Sequence, residues 1–264
     1  FINILYSSYF DYFLSINSYV ITLIVSFTTG SCLLFFGKRS EKRINFIEQL
    51  LLIILVYFLI SVFVALPFYL SNYQVTFLNS LFESISGITG TGFSIFKNIK
   101  YLDPTLILWR SSSQWIGGLY FLFFLVLIFS NKQFNYKMSE LTYSENGNIN
   151  SETNIKDILI KIFICYSALS FIIFLLLNIS EVRMFNSLNL SMSLVSAGGF
   201  IPTNSLDKII NSNLQKLILI FSLLISMLNF FLILNIFEKK VIIREHREDL
   251  YLIILSLIFI LLVY

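Results

Sequence analysis

The chain has 264 residues, of which 57% are hydrophobic and 12% charged, and its mean hydropathy is +0.83. Soluble domains carry about a quarter charged residues, so this composition excludes an ordinary soluble domain and points to a multi-spanning helical membrane protein. A net charge of +3 leaves no nucleic-acid footprint, and the single histidine, His246, sits among charges on a loop, which argues against a histidine-based metal site.

In chain order, residues 1–18 are aromatic and polar, a composition suited to a membrane interface. Tyr19 to Phe36 is charge-free and long enough to span, and Lys38, Arg39, Lys42 and Arg43 follow it. The next predicted span is Ile47 to Leu70, with Pro67 near its end. Leu81 to Ile88 has helical spacing but is too short to cross a bilayer, and it breaks into Thr89-Gly90-Thr91-Gly92. A loop, Lys97 to Asp103, leads to a helix start in which Asp103 is the N-cap and Pro104 the first helical residue. That helix is predicted to run from Thr105 to Ser130.

A polar linker, Asn131 to Asp157, then precedes a predicted span from Ile158 to Leu177. Phe185 to Ser196 is a second short half-apolar helix, broken at Ala197-Gly198-Gly199-Phe200, with Pro202 preventing continuation. A span from Leu214 to Phe237 and a charged loop, Glu238 to Asp249, follow. The first residue is Phe1 rather than Met, and the last apolar run holds about fifteen residues where a span needs about 20. The expectation is a piece of a longer protein. Cys32 and Cys165 lie in apolar runs and read as small packing residues, not a disulfide.

The order span, short helix, glycine loop, span occurs twice. Gly92 precedes Gly198 by 106 positions and Gly199 by 107, and the sequence leaves the register between them open. Lys and Arg concentrate in the loops at 37–43, 131–157 and 238–249, whereas the opposite loops hold Lys97, Lys100, Arg183 and Lys208. The first set is therefore expected on the cytoplasmic side. Both glycine loops then enter from outside, and each short helix points its partially negative C-terminal end at the membrane middle, where it favours a dehydrated cation. Glycine permits the backbone geometry and close approach that carbonyl coordination of an ion demands. A lone glycine loop is also what a tight turn or a helix-packing contact looks like; two copies in the same setting weaken that reading.

Three passages carry a family resemblance: LFESISGITGTGFSIF, WRSSSQWIGGL and SMSLVSAGGFIPTN. They resemble the first pore helix and filter, the first inner helix and the second filter of the Trk/Ktr/HKT superfamily, most of all the bacterial Trk-type potassium uptake membrane subunit. The resemblance covers about residues 45–237. It implies an all-α membrane fold in which repeated span–pore-helix–filter-loop–span units form a pseudo-fourfold, ion-channel-like pore, half of it present here. The implied division is a remnant of an N-terminal helical hairpin (1–44), pore repeat one (45–131), a cytoplasmic linker (132–156), pore repeat two (157–237), and a cytoplasmic loop with the first helix of a third repeat (238–264).

The implied activity is K⁺ uptake across the plasma membrane of a bacterium, with the alternatives of a Na⁺-permeable relative or a non-conducting scaffold. The implied ion-binding backbone is Thr89, Gly90, Thr91 and Gly92 with Val195, Ser196, Ala197, Gly198 and Gly199. Gly90 and Ala197 each stand where the family usually has Thr, whereas Gly92 keeps the glycine that Na⁺-preferring plant relatives replace with Ser. Glu83, Arg110, Gln114 and Trp115 are the expected filter supports, and Gly117-Gly118 a close-packing point. Glu83 either concentrates cations at the mouth or bonds within its repeat, and Arg110 pairs with Asp103 or Glu83.

No cofactor is implied beyond K⁺ as the transported ion. Implied partners are the bilayer, a cytosolic nucleotide-binding regulatory subunit and a second copy of the chain. The basic cluster Lys239, Lys240, Arg244 and Arg247 reads as a positive-inside anchor or as the docking surface for such a subunit. An intramembrane enzyme would need a Ser/His, paired-carboxylate or metal constellation at membrane depth. The spans carry almost no acids, so no enzyme is expected.

Overall fold

The computed structural model describes residues 2–10, 13–38, 45–129, 153–227, 251–256 and 258. The named elements are all helical: α1 (Ile2–Tyr9), α2 (Phe13–Gly37), α3 (Phe46–Tyr69), α4 (Phe77–Ile88), α5 (Pro104–Phe129), α6 (Thr153–Ile179), α7 (Met184–Val195) and α8 (Asn213–Met227). Four of them, α2, α3, α5 and α6, contain stretches long and apolar enough to cross a membrane. The fifth predicted span begins as α8, and its second half lies outside the described residues, as do most of the linker and the basic cluster at 239–247. Residues 251–256 of the last apolar run are helical.

Several boundaries differ from the sequence expectation, each for a local reason. The short helix α4 starts at Phe77 rather than Leu81, because the Thr76 hydroxyl accepts from the Asn79 amide at 3.4 Å and caps it. Glu83 therefore sits in the middle of the helix. Helix α6 starts at Thr153, inside the stretch expected to be linker, and extends its polar first turns beyond the apolar window. The N-terminal stretch contains the short helix α1, which lies against the start of α5: Asn3 donates to the Thr105 carbonyl and Tyr19 of α2 to the Thr105 hydroxyl at 3.2 Å.

Each unit packs its short helix between its flanking spans. Val64, Phe68, Ile88, Leu102 and Leu106 form the apolar centre of the first unit; Ile173, Leu177, Leu190, Leu194 and Ile209 form that of the second. Leu119, Val126, Ile162 and Tyr166 close the seam between α5 and α6. In lipid, burial of apolar surface gives helices little reason to associate, so small residues and interhelical hydrogen bonds must help. Ser80, Ser84 and Ser86 on α4, and Ser187, Ser191 and Ser193 on α7, are all buried. Ser84 donates to the Ser61 carbonyl at 2.5 Å, Trp109 to Val64 at 3.0 Å, Gln49 to Leu127 at 2.9 Å and Tyr120 to Ile53 at 3.0 Å. Each such bond contributes about 0.6 kcal/mol in a bilayer. Large apolar side chains such as Phe27, Leu34 and Leu51 stay uncovered, as a lipid-facing surface requires.

Candidate functional site

Both short helices end in the same way. After α4, the Gly90 amide donates to the Gly87 carbonyl at 3.1 Å and the Thr91 amide to Ser86 at 3.0 Å. After α7, the Ala197 amide donates to Leu194 at 3.0 Å and the Gly198 amide to Ser193 at 2.8 Å. These pairs are Schellman motifs, which place the residue after the C-cap in left-handed backbone. Gly90 has φ +68° and Ala197 +50°; two residues on, Gly92 has +80° and Gly199 +133°.

This geometry settles the register that the sequence left open. Gly92 corresponds to Gly199, an offset of 107. The same offset relates the two helices, the 3₁₀ turns Ile99–Tyr101 and Leu206–Lys208, and the left-handed residues Gln74 and Glu181 ahead of each short helix. Thr89 then matches Ser196, Gly90 matches Ala197, and Thr91 matches Gly198. Val195 matches Ile88 and is the last residue of α7, so the second loop proper begins at Ser196.

The two loops meet. A Cβ added to Gly92 would lie 3.1 Å from the Gly198 carbonyl oxygen and 3.2 Å from the Gly199 Cα. Among the described residues, no donor reaches the carbonyls of Thr89, Gly90, Thr91 and Gly92 or of Ser196, Ala197, Gly198 and Gly199. The carbonyl just before them is different: Ile88 accepts from the Tyr57 hydroxyl at 2.7 Å. The Thr89 and Thr91 hydroxyls lie 2.6 Å apart beside the first loop.

Helix α5 supports both loops. Arg110 pairs with Glu83, not Asp103: its Nε donates to Glu83 Oε1 at 2.7 Å, and both side chains are buried. Glu83 Oε1 also accepts from Ser94 Oγ at 3.0 Å, and Oε2 accepts from the Ile95 amide at 2.8 Å. Both carboxylate oxygens thus bond to groups at the end of the first loop, Ser94 and Ile95, within their own unit. Asp103 instead caps α5, its Oδ1 accepting from the Thr105 amide at 3.1 Å. Arg110 Nη2 donates to Ser94 at 3.0 Å, and the guanidinium lies 4.2 Å from the ring centre of Phe200, in the second loop.

Gln114, one turn further on, reaches the second loop directly. Its Oε1 accepts from Ser193 Oγ at 2.9 Å and from the Phe200 amide at 3.1 Å, while Ser193 Oγ accepts from the Gly199 amide at 3.1 Å. Trp115 lies further out: its indole donates to Ser170 on α6 at 2.8 Å and packs against Tyr166. Gly117 packs so closely against α4 that a Cβ there would lie 2.0 Å from the Ile88 carbonyl oxygen.

Sequence reasoning missed Tyr57, Ser193 and Asn204. Asn204 ties the outer segments together: its Oδ1 accepts from the Ile99 amide at 2.7 Å, and its Nδ2 donates to Asn98 at 3.2 Å. Ser193 had a signal, since it completes the buried serine face of α7; Tyr57 and Asn204 had none, because their partners lie far along the chain. At the outer edge, the Tyr73 hydroxyl accepts from the Asp103 amide at 2.6 Å. Burial raises the Tyr73 pKa above its ordinary value, and that hydrogen bond acts in the opposite direction.

The family model for TrkH, described as a cation transport protein, matches residues 15–262. This chain belongs to the TrkH family. Among similar proteins, the Trk system potassium uptake protein TrkG of Escherichia coli is 25% identical over 241 residues, which cover 86% of this chain and 48% of TrkG. A cation transporter of Methanocaldococcus jannaschii is 29% identical over 63% of this chain and 35% of its own length. The crystal structure of the potassium transporter TrkH from Vibrio parahaemolyticus superposes with a TM-score of 0.69 at 22% identity, covering 83% of this chain and 44% of that one. The fold is therefore the TrkH fold, and the chain spans less than half the length of each of these relatives.

Proposed function

We propose that this TrkH-family chain supplies half of a K⁺ uptake path, with the carbonyls of residues 89–92 and 196–199 as its part of the ion filter. The observation that carries this reading is the pair of abutting loops whose carbonyls have no donor among the described residues. Backbone carbonyls at membrane depth are costly without partners, and a cation shedding its water provides them. Both loops follow the C-terminal ends of short helices, where the helix dipole favours positive charge. The names of TrkG and TrkH relatives supply the ion, and Gly92 in place of the Ser of Na⁺-preferring relatives supports K⁺ over Na⁺. Inward movement would draw on the membrane potential, about 2.3 kcal/mol per charge per 100 mV.

The same reading places the protein in a plasma membrane, with Glu83, Arg110 and Gln114 as supports of the loops and Trp115 behind them. It completes the pore with further repeats and allows a nucleotide-binding cytosolic subunit and a second copy of the chain as partners. The test is growth of a bacterial strain lacking K⁺ uptake, at limiting K⁺, on the complete protein and on Gly92→Ser. Rescue by the parent and loss of rescue or Na⁺ leak in the variant is the expected result. Rescue indifferent to the variant would move the filter elsewhere. No rescue by a parent present in the membrane would favour the scaffold or another ion.

A further inference from the structure

The two loops have the same backbone but different braces, and the difference follows the sequence position by position. In the first loop, Glu83 of the loop's own short helix accepts from the Ile95 amide and the Ser94 hydroxyl. Shifted by 107 positions, those three residues become Leu190, Pro202 and Ile201. Leu190 has no acceptor, Ile201 no hydroxyl and Pro202 no amide hydrogen to place. The acid and the amide it serves are present together in one unit and absent together in the other. The second loop still has amides that need holding, at Gly199 and Phe200, and its own helix supplies only Ser193.

The missing acceptor comes from the neighbouring unit. Gln114 is fully buried, and its Oε1 takes the Phe200 amide and the Ser193 hydroxyl. The Phe200 amide can only donate, which fixes the oxygen of Gln114, not its nitrogen, on that side. Among the described residues Gln114 Nε2 has no partner, so the acceptor is the working end. The loop rests on this side chain: a Cβ on Gly198 would lie 2.3 Å from Oε1 and 2.4 Å from Cδ.

We propose that Gln114, a residue of the first unit, is a specificity-determining positioning residue for the second unit's loop, fixing where the Gly198 and Gly199 carbonyls sit. The inference rests on the ion-path reading above. The number and placement of coordinating carbonyls govern discrimination between K⁺ and Na⁺. A buried amide that loses its acceptor will move to find another, and the carbonyls on either side move with it.

The experiment uses the complete protein in cells lacking K⁺ uptake, with Rb⁺ and Na⁺ uptake measured separately and membrane levels quantified. Gln114→Met keeps length and removes the acceptor; the Na⁺-to-Rb⁺ uptake ratio is expected to rise about tenfold. Gln114→Glu keeps the acceptor and is expected to bring the ratio back toward the parent. A uniform fall in both uptakes at constant ratio in Gln114→Met means a merely structural role and overturns the proposal. Should Gln114→Met be missing from the membrane, Ser193→Ala carries the test: a raised ratio supports the proposal and an unchanged ratio overturns it. A parent that takes up neither ion overturns the ion-path reading and this inference with it.

Discussion

Arg110 donates to Glu83 across 2.7 Å with both side chains shielded from solvent, and this pair joins α5 to α4 and the loop that follows it. Removing one member of a buried pair leaves an uncompensated charge, at a cost of about 3–5 kcal/mol. Glu83→Ala strands Arg110 and also orphans the Ile95 amide. Its expected outcome is a loss of folded protein in the membrane, read by thermal unfolding in detergent. Removing both charges is expected to destabilise by less than the sum of the single losses, which a double-mutant cycle measures.

Ala197 stands at φ +50°, where its counterpart Gly90 stands at +68°. A side chain in left-handed backbone costs roughly 1–2 kcal/mol, part of which glycine gives back through its freer unfolded state. Ala197→Gly is therefore expected to stabilise the protein by about 0.5–1 kcal/mol, a rise in thermal midpoint. Gly90→Ala is expected to shift it the other way by a similar amount.

Gly117 tests the contact between α5 and α4. A Cβ there would meet the Ile88 carbonyl oxygen at 2.0 Å and the Ile88 Cα at 2.7 Å, and backbone atoms cannot swing aside. Gly117→Ala is expected to cost about 3 kcal/mol or more, through displacement of the first loop. Gly30, in the middle of α2, has no atom within 4 Å of such a Cβ. Gly30→Ala is expected to be neutral or stabilising by up to about 1 kcal/mol. Parallel unfolding curves of the two variants separate the clash from a general intolerance of alanine.

Tyr57 donates its hydroxyl to the Ile88 carbonyl at 2.7 Å, the last carbonyl before the open ones. Tyr57→Phe leaves that oxygen without its donor, a loss of about 1–3 kcal/mol in a buried setting. Reduced thermal stability is the expected result, and an unchanged midpoint would mean that another donor reaches Ile88.

Asn204 accepts from the Ile99 amide at 2.7 Å across the boundary between the units. Asn204→Ala is expected to speed hydrogen exchange at Ile99 about tenfold while leaving amides within α5 unchanged. Equal protection in parent and variant would show that the outer segments are held together without it.

The class of the molecule and the order of its parts are legible in the chain alone. Hydropathy marks α2, α3, α5 and α6, because the bilayer demands length and apolarity of any segment that crosses it. Short helices before Gly92 and Gly199, and a repeated unit, are also legible, since glycine and proline punctuate local backbone. Boundaries such as Phe77 and Thr153 were less so, because a capping hydroxyl or a polar extension does not disturb the apolar pattern. The remainder depends on which segments pack together. The register of Gly92 on Gly199 needed two Schellman motifs, which are facts of hydrogen bonding and not of composition. The choice of Glu83 over Asp103 as the partner of Arg110, and the reach of Gln114 into the second loop, needed α5 set between two short helices. Those contacts join residues distant in sequence, and a linear pattern records what each residue can do but not which neighbour it meets.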